Sequence, residues 1–300
     1  MANLRQIRRH INSVQSIAKT TSAMEVVSTA KNLRIESRVA NARLFAATSW
    51  ELLTHLAWAD EDAVRTNPLF CGYAQIDSVG MILITSNKGL VGSYNHNLLA
   101  QALRVVEHRP AVKAITLGRQ GQLAMLRRGV PIHADVHLPE ERVGLDDLAP
   151  VAQIAIEGMN QHQFDEVVLI HTLYHEGARL QVTTRRLLPV CPEAPTERRN
   201  YIYEPDPDEL FRSLLPRVIR FQLFEAYMES LVAENVSRMV AMRAATQNAD
   251  DVIRDLTLAY NKARQQAITA EMADLLGERA GRASSILGGL GHDDTDAPTD

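Results

Sequence analysis

Two long stretches of this chain contain neither glycine nor proline. They cover residues 1–67 and 217–276, while ten of the fifteen glycines and eleven of the twelve prolines fall between 68 and 216. Glycine and proline interrupt helices and build turns. The partition therefore predicts four segments: an N-terminal helix over 1–67, a mixed domain over 68–205, a second helix over 206–276 and a loose tail over 277–300.

The second helix opens with Asp206-Pro207-Asp208-Glu209, a capping carboxylate, a proline at the first helical position and an acid shortly after. Pro216 lies inside the segment and is expected to bend it. Further on, Leu214, Phe221, Met228, Asn235, Met242, Ala249, Leu256, Ala263 and Ala270 recur at a strict interval of seven, all but Asn235 apolar. Val218, Val232, Met239, Ile253, Tyr260 and Ala267 form a companion row. Two such rows are the a and d positions of a coiled coil. In the first helix Leu4, Ile7, Ile11, Val14 and Ala18 keep a 3-4 rhythm. The rhythm is then expected to slip by a residue to Ile17, Met24 and Val27, with Glu25 interrupting the old register.

Length decides how these helices are used. Sixty helical residues span roughly 90 Å, whereas a compact chain of this size is roughly 50 Å across. Such a helix needs a partner, and the nearest is the other long helix, antiparallel to it if the middle domain holds their inner ends together. The alternative is two separate helices packed on that domain. The expected fold is thus α+β overall: a long antiparallel two-helix coiled coil of the N- and C-terminal helices, with an inserted Rossmann-like α/β domain.

The middle segment alternates strand and helix. Strands are predicted over 79–85, 111–117, 132–136, 166–172 and 180–187, with helices over 95–108, 120–128 and 148–160. Alternating βα units imply a mostly parallel sheet. The loop Ser86-Asn87-Lys88-Gly89-Leu90-Val91-Gly92-Ser93 follows a strand and opens a helix, the usual place for a phosphate. It lacks both GxxxxGK[ST] and GxGxxG, so a turn requirement explains its glycines more simply.

Other chemistry has little anchor. His133 and His137, and His171 and His175, are each four apart, but on strands or turns that spacing does not converge on a metal. Asp146 and Asp147 read as a helix cap, and Trp50 and Trp58 as packing residues. Cys71 and Cys191 lack CxxC spacing, against a zinc site or a disulfide framework. No GxSxG or HExxH occurs, and neither a cofactor nor a catalytic residue is expected. A net charge of −4 gives no bulk attraction to nucleic acid. The opening residues lack the apolar run of a secretory signal and no stretch is long enough to span a bilayer, so a soluble or peripheral protein is expected. Charge is unevenly placed. Residues 1–43 hold eight basic side chains (Arg5, Arg8, Arg9, Lys19, Lys31, Arg34, Arg38, Arg43) against Glu25 and Glu36, while after Arg282 only Asp293, Asp294, Asp296 and Asp300 are charged.

Several motifs resemble the gamma subunits of F-type (F1Fo) ATP synthases, and the resemblance covers nearly the whole chain. They are Leu4-Arg5-Gln6-Ile7-Arg8-Arg9, Thr21-Ser22-Ala23-Met24-Glu25, Ser86-Asn87-Lys88-Gly89-Leu90-Val91-Gly92 and Tyr201-Ile202-Tyr203-Glu204-Pro205-Asp206. The most specific is the stretch through Arg238-Met239-Val240-Ala241-Met242 and Tyr260-Asn261-Lys262-Ala263-Arg264-Gln265 to Ile268-Thr269-Ala270-Glu271. The resemblance implies a non-catalytic rotor shaft inside a ring of alpha and beta subunits. It also implies contacts with the epsilon and delta subunits and with the membrane c-ring, and a peripheral place on the cytoplasmic face of a bacterial plasma membrane. Carried over by motif, Met24, Arg238, Gln265 and Thr269 would face the surrounding ring, with Arg8, Arg9 and Lys31 as further basic contacts. The regulatory cysteine insert of the chloroplast form is absent, so thiol switching is not implied. A nucleotide-binding α/β protein and a coiled-coil scaffold outside the synthase are the alternative functions.

Overall fold

A computed structural model describes residues 2–58, 67–138, 143–175, 179–191, 204 and 206–288. In chain order the elements are α1 (Ala2–Ala57), α2 (Pro68–Cys71), β1 (Val79–Ile84), α3 (Tyr94–His108), β2 (Val112–Leu117), α4 (Arg119–Arg127), β3 (Ile132–Val136), α5 (Ala149–Asn160), β4 (Glu166–His175), β5 (Arg179–Leu188) and α6 (Pro207–Gly288). The fold divides into two compact units, residues 1–23 with 243–300, and residues 24–242.

In the first unit Val14 and Ala18 of α1 pack with Ala249, Ile253 and Leu256 of α6. The hydroxyls of Thr21 and Thr246 hydrogen-bond across the pair at 2.7 Å. Met242 closes the second unit's part of α6; in the first unit the shielded positions of α6 are Ala245, Thr246, Ala249, Ile253, Leu256, Tyr260, Ala263 and Ala267, which from Ala249 onward keep the 3-4 alternation of a coiled-coil seam. The alanines of this seam, Ala249, Ala263 and Ala267, let two helix axes approach closely.

The second unit carries the sheet, in the order β3-β2-β1-β4-β5. β1 is parallel to both β2 and β4, β2 is parallel to β3, and β5 runs antiparallel to β4. All six residues of β1 are buried, as expected for a central strand covered on both faces. Its period of two sorts them: Val79, Met81 and Leu83 join the core under α3 and α4, with Leu98, Ala102 and Met125. Ile82 and Ile84 join the larger core that holds Val151, Ala155 and Met159 of α5, Val39, Ala42 and Leu53 of α1, and Val218, Leu223 and Val232 of α6. Each fully buried aliphatic side chain of this kind contributes about 1.5–3 kcal/mol. The two long helices thus form the layer over one face of the sheet, where a doubly wound fold would place further crossover helices. Across that layer Phe45 stacks on Phe221 with ring centroids 6.0 Å apart, and Gln222 donates to the carbonyl of Ala46. From Arg43–Glu229 to Ala46–Gln222 the α6 partner number falls as the α1 number rises, so the helices are antiparallel.

Several expectations from sequence need correction. The α1 register does not slip. Its shielded row runs 4, 7, 11, 14, 18 and 21 in the first unit and 25, 28, 32, 35, 39 and 42 in the second, while Ile17 and Val27 are 53% and 54% exposed. Small polar side chains hold the row with local hydrogen bonds: Ser28 donates to the carbonyl of Met24, and the Asn32 amide NH2 donates to Glu36. Hydrophobicity alone followed the wrong face. The first helix stops at Ala57, and Asn67 caps α2 by accepting from the Leu69 amide. α6 continues through Gly277 and Gly281 to Gly288, since glycine costs a helix only about 1 kcal/mol and the flanking leucines and alanines favour it. The acidic positions 293–300 lie outside the described residues. Asp146 and Asp147 do not cap α5. They sit in a 3-10 turn before it, where Asp147 accepts from the Gly144 amide and Asp146 pairs with Arg220. Trp50 packs against the core, but Trp58, beyond the helix end, is 36% exposed.

Candidate functional site

The loop after β1 is tied down by its own side chains. Asn95 donates to the Ser86 hydroxyl at 2.7 Å and accepts from the Ser86 amide, and Ser86 in turn donates to the Lys88 carbonyl. Asn87 accepts from the Arg119 amide. Leu90 and Gly92 take positive φ, 63° and 55°. This bend presents Val91, whose carbonyl accepts from Ser237 of α6 at 2.7 Å. The β2–α4 turn presses from the other side. Gly118 has φ 112°, and a Cβ there would lie 2.1 Å from the Thr85 carbonyl oxygen, so only glycine fits. The loop is a strut from the sheet to α6, with its polar groups turned on one another rather than cradling a phosphate.

A buried ionic knot ties the sheet to both long helices. Arg43 of α1 donates to Glu229 of α6 at 2.7 Å and to the Tyr174 carbonyl of β4 at 2.6 Å. His171 of β4 lies with Nε2 3.5 Å from the other Glu229 oxygen. Arg185 of β5 reaches Glu225 and the Gln222 carbonyl on α6. Burial lowers the His171 pKa below its ordinary 6.5, with Arg185 adding to the shift and Glu229 opposing it. The ring is therefore neutral near pH 7, its Nε2–H donating to Glu229 while Nδ1 has no partner. Burial alone would raise the Glu229 pKa, but hydrogen bonds from His171 and Arg43 outweigh it and hold the carboxyl below its usual value. Glu225 is pushed up by burial, which outweighs the pull of Arg185, with the Glu229 charge adding to the rise. Sequence reasoning missed this knot. It counted Arg43 as one charge in a basic helix and weighed His171 as half of a metal pair. The available signal was Glu229, an acid directly after Met228 on the seam row.

The residues singled out from sequence fall in different places. Gln265 and Thr269 are exposed on α6, with Thr269 donating back to the Gln265 carbonyl at 2.9 Å. Arg8 and Arg9 are exposed on α1, in a segment of the first unit that carries no acid. Met24 and Lys31 are half-buried. The Arg238 side chain is 13% exposed, paired with Glu234 at 2.5 Å and braced by Asn235. His133 sets its ring edge against Phe164, and His137 lies 3.3 Å from Asp135. Among the described residues no three His, Cys, Asp or Glu side chains gather as a metal site requires, and no helix is long and apolar enough to cross a membrane.

An antiparallel pair of helices in each unit, which in the second unit covers one face of an α/β sheet and is tied to it by a strut and an ionic knot, defines a two-helix coiled-coil protein with an inserted α/β domain. Residues 3–279 match the ATP synthase family. The chain belongs to that family, and its relatives there are ATP synthase gamma chains. It is 35% identical to the gamma chain of Herpetosiphon aurantiacus over 288 residues, covering 92% of this chain and 97% of the other. To that of Geotalea daltonii it is 36% identical over 283 residues, with the same coverage. A chain of the Euglena gracilis mitochondrial ATP synthase superposes with a TM-score of 0.71 at 16% identity, over 99% of both chains. One from the central stalk and c-ring of the Tetrahymena thermophila enzyme gives 0.61 at 23% identity, over 75% of this chain and 99% of the other. At those identities the structures speak to the fold alone.

Proposed function

We propose that this chain is the central rotor shaft of an F-type ATP synthase, coupling ion-driven rotation of the c-ring to the conformational cycling of the catalytic beta subunits. The observation that carries the reading is the antiparallel pairing of α1 with α6, seen in each unit by itself. In this role the chain has no catalytic residue and works by differential contact: each orientation of an asymmetric shaft favours a different state of each surrounding site. Family membership supports alpha, beta, epsilon and delta subunits and the c-ring as partners. It also supports a peripheral position on the cytoplasmic face of a bacterial plasma membrane, reached through the c-ring.

Proposed contacts with the surrounding ring are Gln265 and Thr269, exposed on α6 in the first unit, and, in the second unit, the half-buried Met24 of α1. Arg238 orders α6 through Glu234 and Asn235, and Lys31 supplies a further cation. Arg8 and Arg9, on an acid-free segment, suit acidic loops of a partner, an attraction that screens with salt. Deleting the gene and assaying membrane vesicles tests the proposal. Ion-driven ATP synthesis should vanish and return with the intact gene, and the tagged chain should copurify with alpha and beta subunits. Normal synthesis in the deletion strain would end it.

A further inference from the structure

The second unit brings together the two cysteines of the chain. Cys71 ends α2 and Cys191 lies just beyond β5, and both thiols are free and exposed. A one-turn helix leaves its last carbonyls without partners of its own, and here the segment leaving β5 supplies them. The Val190 amide donates to the Leu69 carbonyl at 2.7 Å, and the Cys191 thiol donates to the Phe70 carbonyl at 3.4 Å. Gly72 follows Cys71 with φ 70°, and a Cβ there would fall 2.9 Å from the Pro189 ring. Residues 69–72 and 189–191 are therefore packed on one another, although Phe70 and Cys191 are 121 apart in sequence.

The bond to Phe70 bounds the separation of the two cysteines. A planar trans peptide puts the Cys71 Cα about 2.8 Å from the Phe70 carbonyl oxygen. Added to the 3.4 Å bond, this leaves the Cys191 sulfur within about 6 Å of that Cα. Disulfide-linked Cα atoms usually lie about 4.4–6.8 Å apart, so the backbones are already near bridging range. The Cys71 thiol now donates to the Asn67 carbonyl at 3.3 Å. A thiol is a weak donor, so this contact yields readily to a rotation about Cα–Cβ. Beside Cys191 lies a cavity of about 420 Å³ lined also by Arg185 and Arg186, which gives a small anionic reagent room to approach.

We propose that Cys71 and Cys191 form a redox-active dithiol, oxidised to an intramolecular disulfide by a small anionic disulfide of the glutathione type. One cysteine thiolate attacks the reagent, forms a mixed disulfide and releases one glutathione thiolate. The second cysteine thiolate attacks the protein sulfur of that mixed disulfide and releases the other. One disulfide is consumed and one is formed, and the two protons lost by the cysteines are taken up by the departing thiolates. The new bond ties α2 to the end of β5, an edge strand of the sheet. Where thiols are kept reduced, such a bond is transient and serves as a redox sensor. It goes beyond the rotor role and does not depend on it.

To test the site, the reduced full-length chain is incubated with glutathione disulfide, remaining thiols are alkylated, and peptides are mapped without reduction. A linked Cys71–Cys191 peptide pair is expected, reversed by dithiothreitol. Ring closure from the mixed disulfide should be at least about tenfold faster in the folded chain than in urea, where the thiols meet only by diffusion of a long loop. Cys71→Ser and Cys191→Ser should each stop at one glutathione adduct on the remaining cysteine. Both change exposed side chains, and melting curves by circular dichroism check their folding. Should either fail to fold, the comparison of folded and urea-unfolded parent gives the reading alone. Two stable glutathione adducts on the parent, a bond linking two chains, no reaction, or equal closure rates with and without urea would each overturn the proposal. None of these results touches vesicle ATP synthesis, which tests the rotor role separately.

Discussion

Truncating the Arg43–Glu229 pair from either side should give unequal losses, because its two partners differ in exposure. In Glu229→Ala, Arg43 loses its carboxylate, but its side chain is 43% exposed and can turn to water. His171, 2% exposed, loses the acceptor for its Nε2–H. Breaking a buried pair costs about 3–5 kcal/mol, and the lower end, about 3 kcal/mol, is expected here. Arg43→Ala does the reverse. It strands Glu229, 4% exposed, beside a neutral imidazole, and the upper end, about 4–5 kcal/mol, is expected. Glu229→Gln keeps the shape and one acceptor, exchanging a charge-assisted hydrogen bond for a neutral one at about 1–2 kcal/mol. The Arg43→Ala/Glu229→Ala double variant leaves no stranded charge and should fall short of the sum by about 2 kcal/mol. Urea unfolding of the full-length chain at pH 7.5, followed by circular dichroism, measures all four. Additivity within about 0.5 kcal/mol, or an Arg43→Ala variant as stable as the parent, would refute the claim that Glu229 is ionised and held by Arg43.

Three further outcomes are expected. Gly158→Val should destabilise the chain by about 2–3 kcal/mol, since a Cβ there would lie 2.3 Å from the buried Phe164 ring, whereas Gly89→Ala, with nothing within 4 Å, should stay within about 0.5 kcal/mol; thermal unfolding compares them. His171 has a folded pKa below its unfolded value of 6.5, so its contribution is complete above pH 6.5 and is lost as pH falls through the window below it, at up to about 1.4 kcal/mol per pH unit. Glu225, raised above its ordinary value, works in the opposite direction over part of that range. The measurement is therefore the difference in pH slope between the parent and His171→Gln, and identical slopes from pH 7 to 5 would contradict the assignment. Met242→Asp puts a carboxylate where the side chain is 4% exposed and should cost at least about 3 kcal/mol. ATP-driven ion pumping in vesicles should then fail or the complex should not assemble, and full coupling would show that the heptad register of α6 is wrong.

What could be read from sequence follows from what repeats. The α6 seam was legible because Met242, Ala249 and Leu256 recur at seven and stay shielded, and periodicity needs no tertiary knowledge. The strands were legible for the same reason: 79–85 reads as an apolar run because β1 is covered on both faces. The α1 register was misread where Thr21, Ser28 and Asn32 occupy seam positions and Ile17 and Val27 do not. Hydropathy cannot report that a hydroxyl is satisfied by Thr246 or by the preceding helical turn. The sheet-to-helix connections were the least legible. Arg43, His171 and Glu229 are scattered along the sequence, and nothing local marks that one carboxylate will receive both cation and imidazole.

The bond between Arg43 and Glu229 spans 186 residues, and that between Thr21 and Thr246 spans 225. A ribosome adding about 5–20 residues per second needs roughly ten to forty seconds to cover the shorter gap. Throughout that interval the first helix exists without the surface that shields its inner face. Maturation of this polypeptide is therefore governed by its last third, and any nascent chain interrupted before α6 leaves an amphipathic segment open to chaperones, proteases or another unfinished copy.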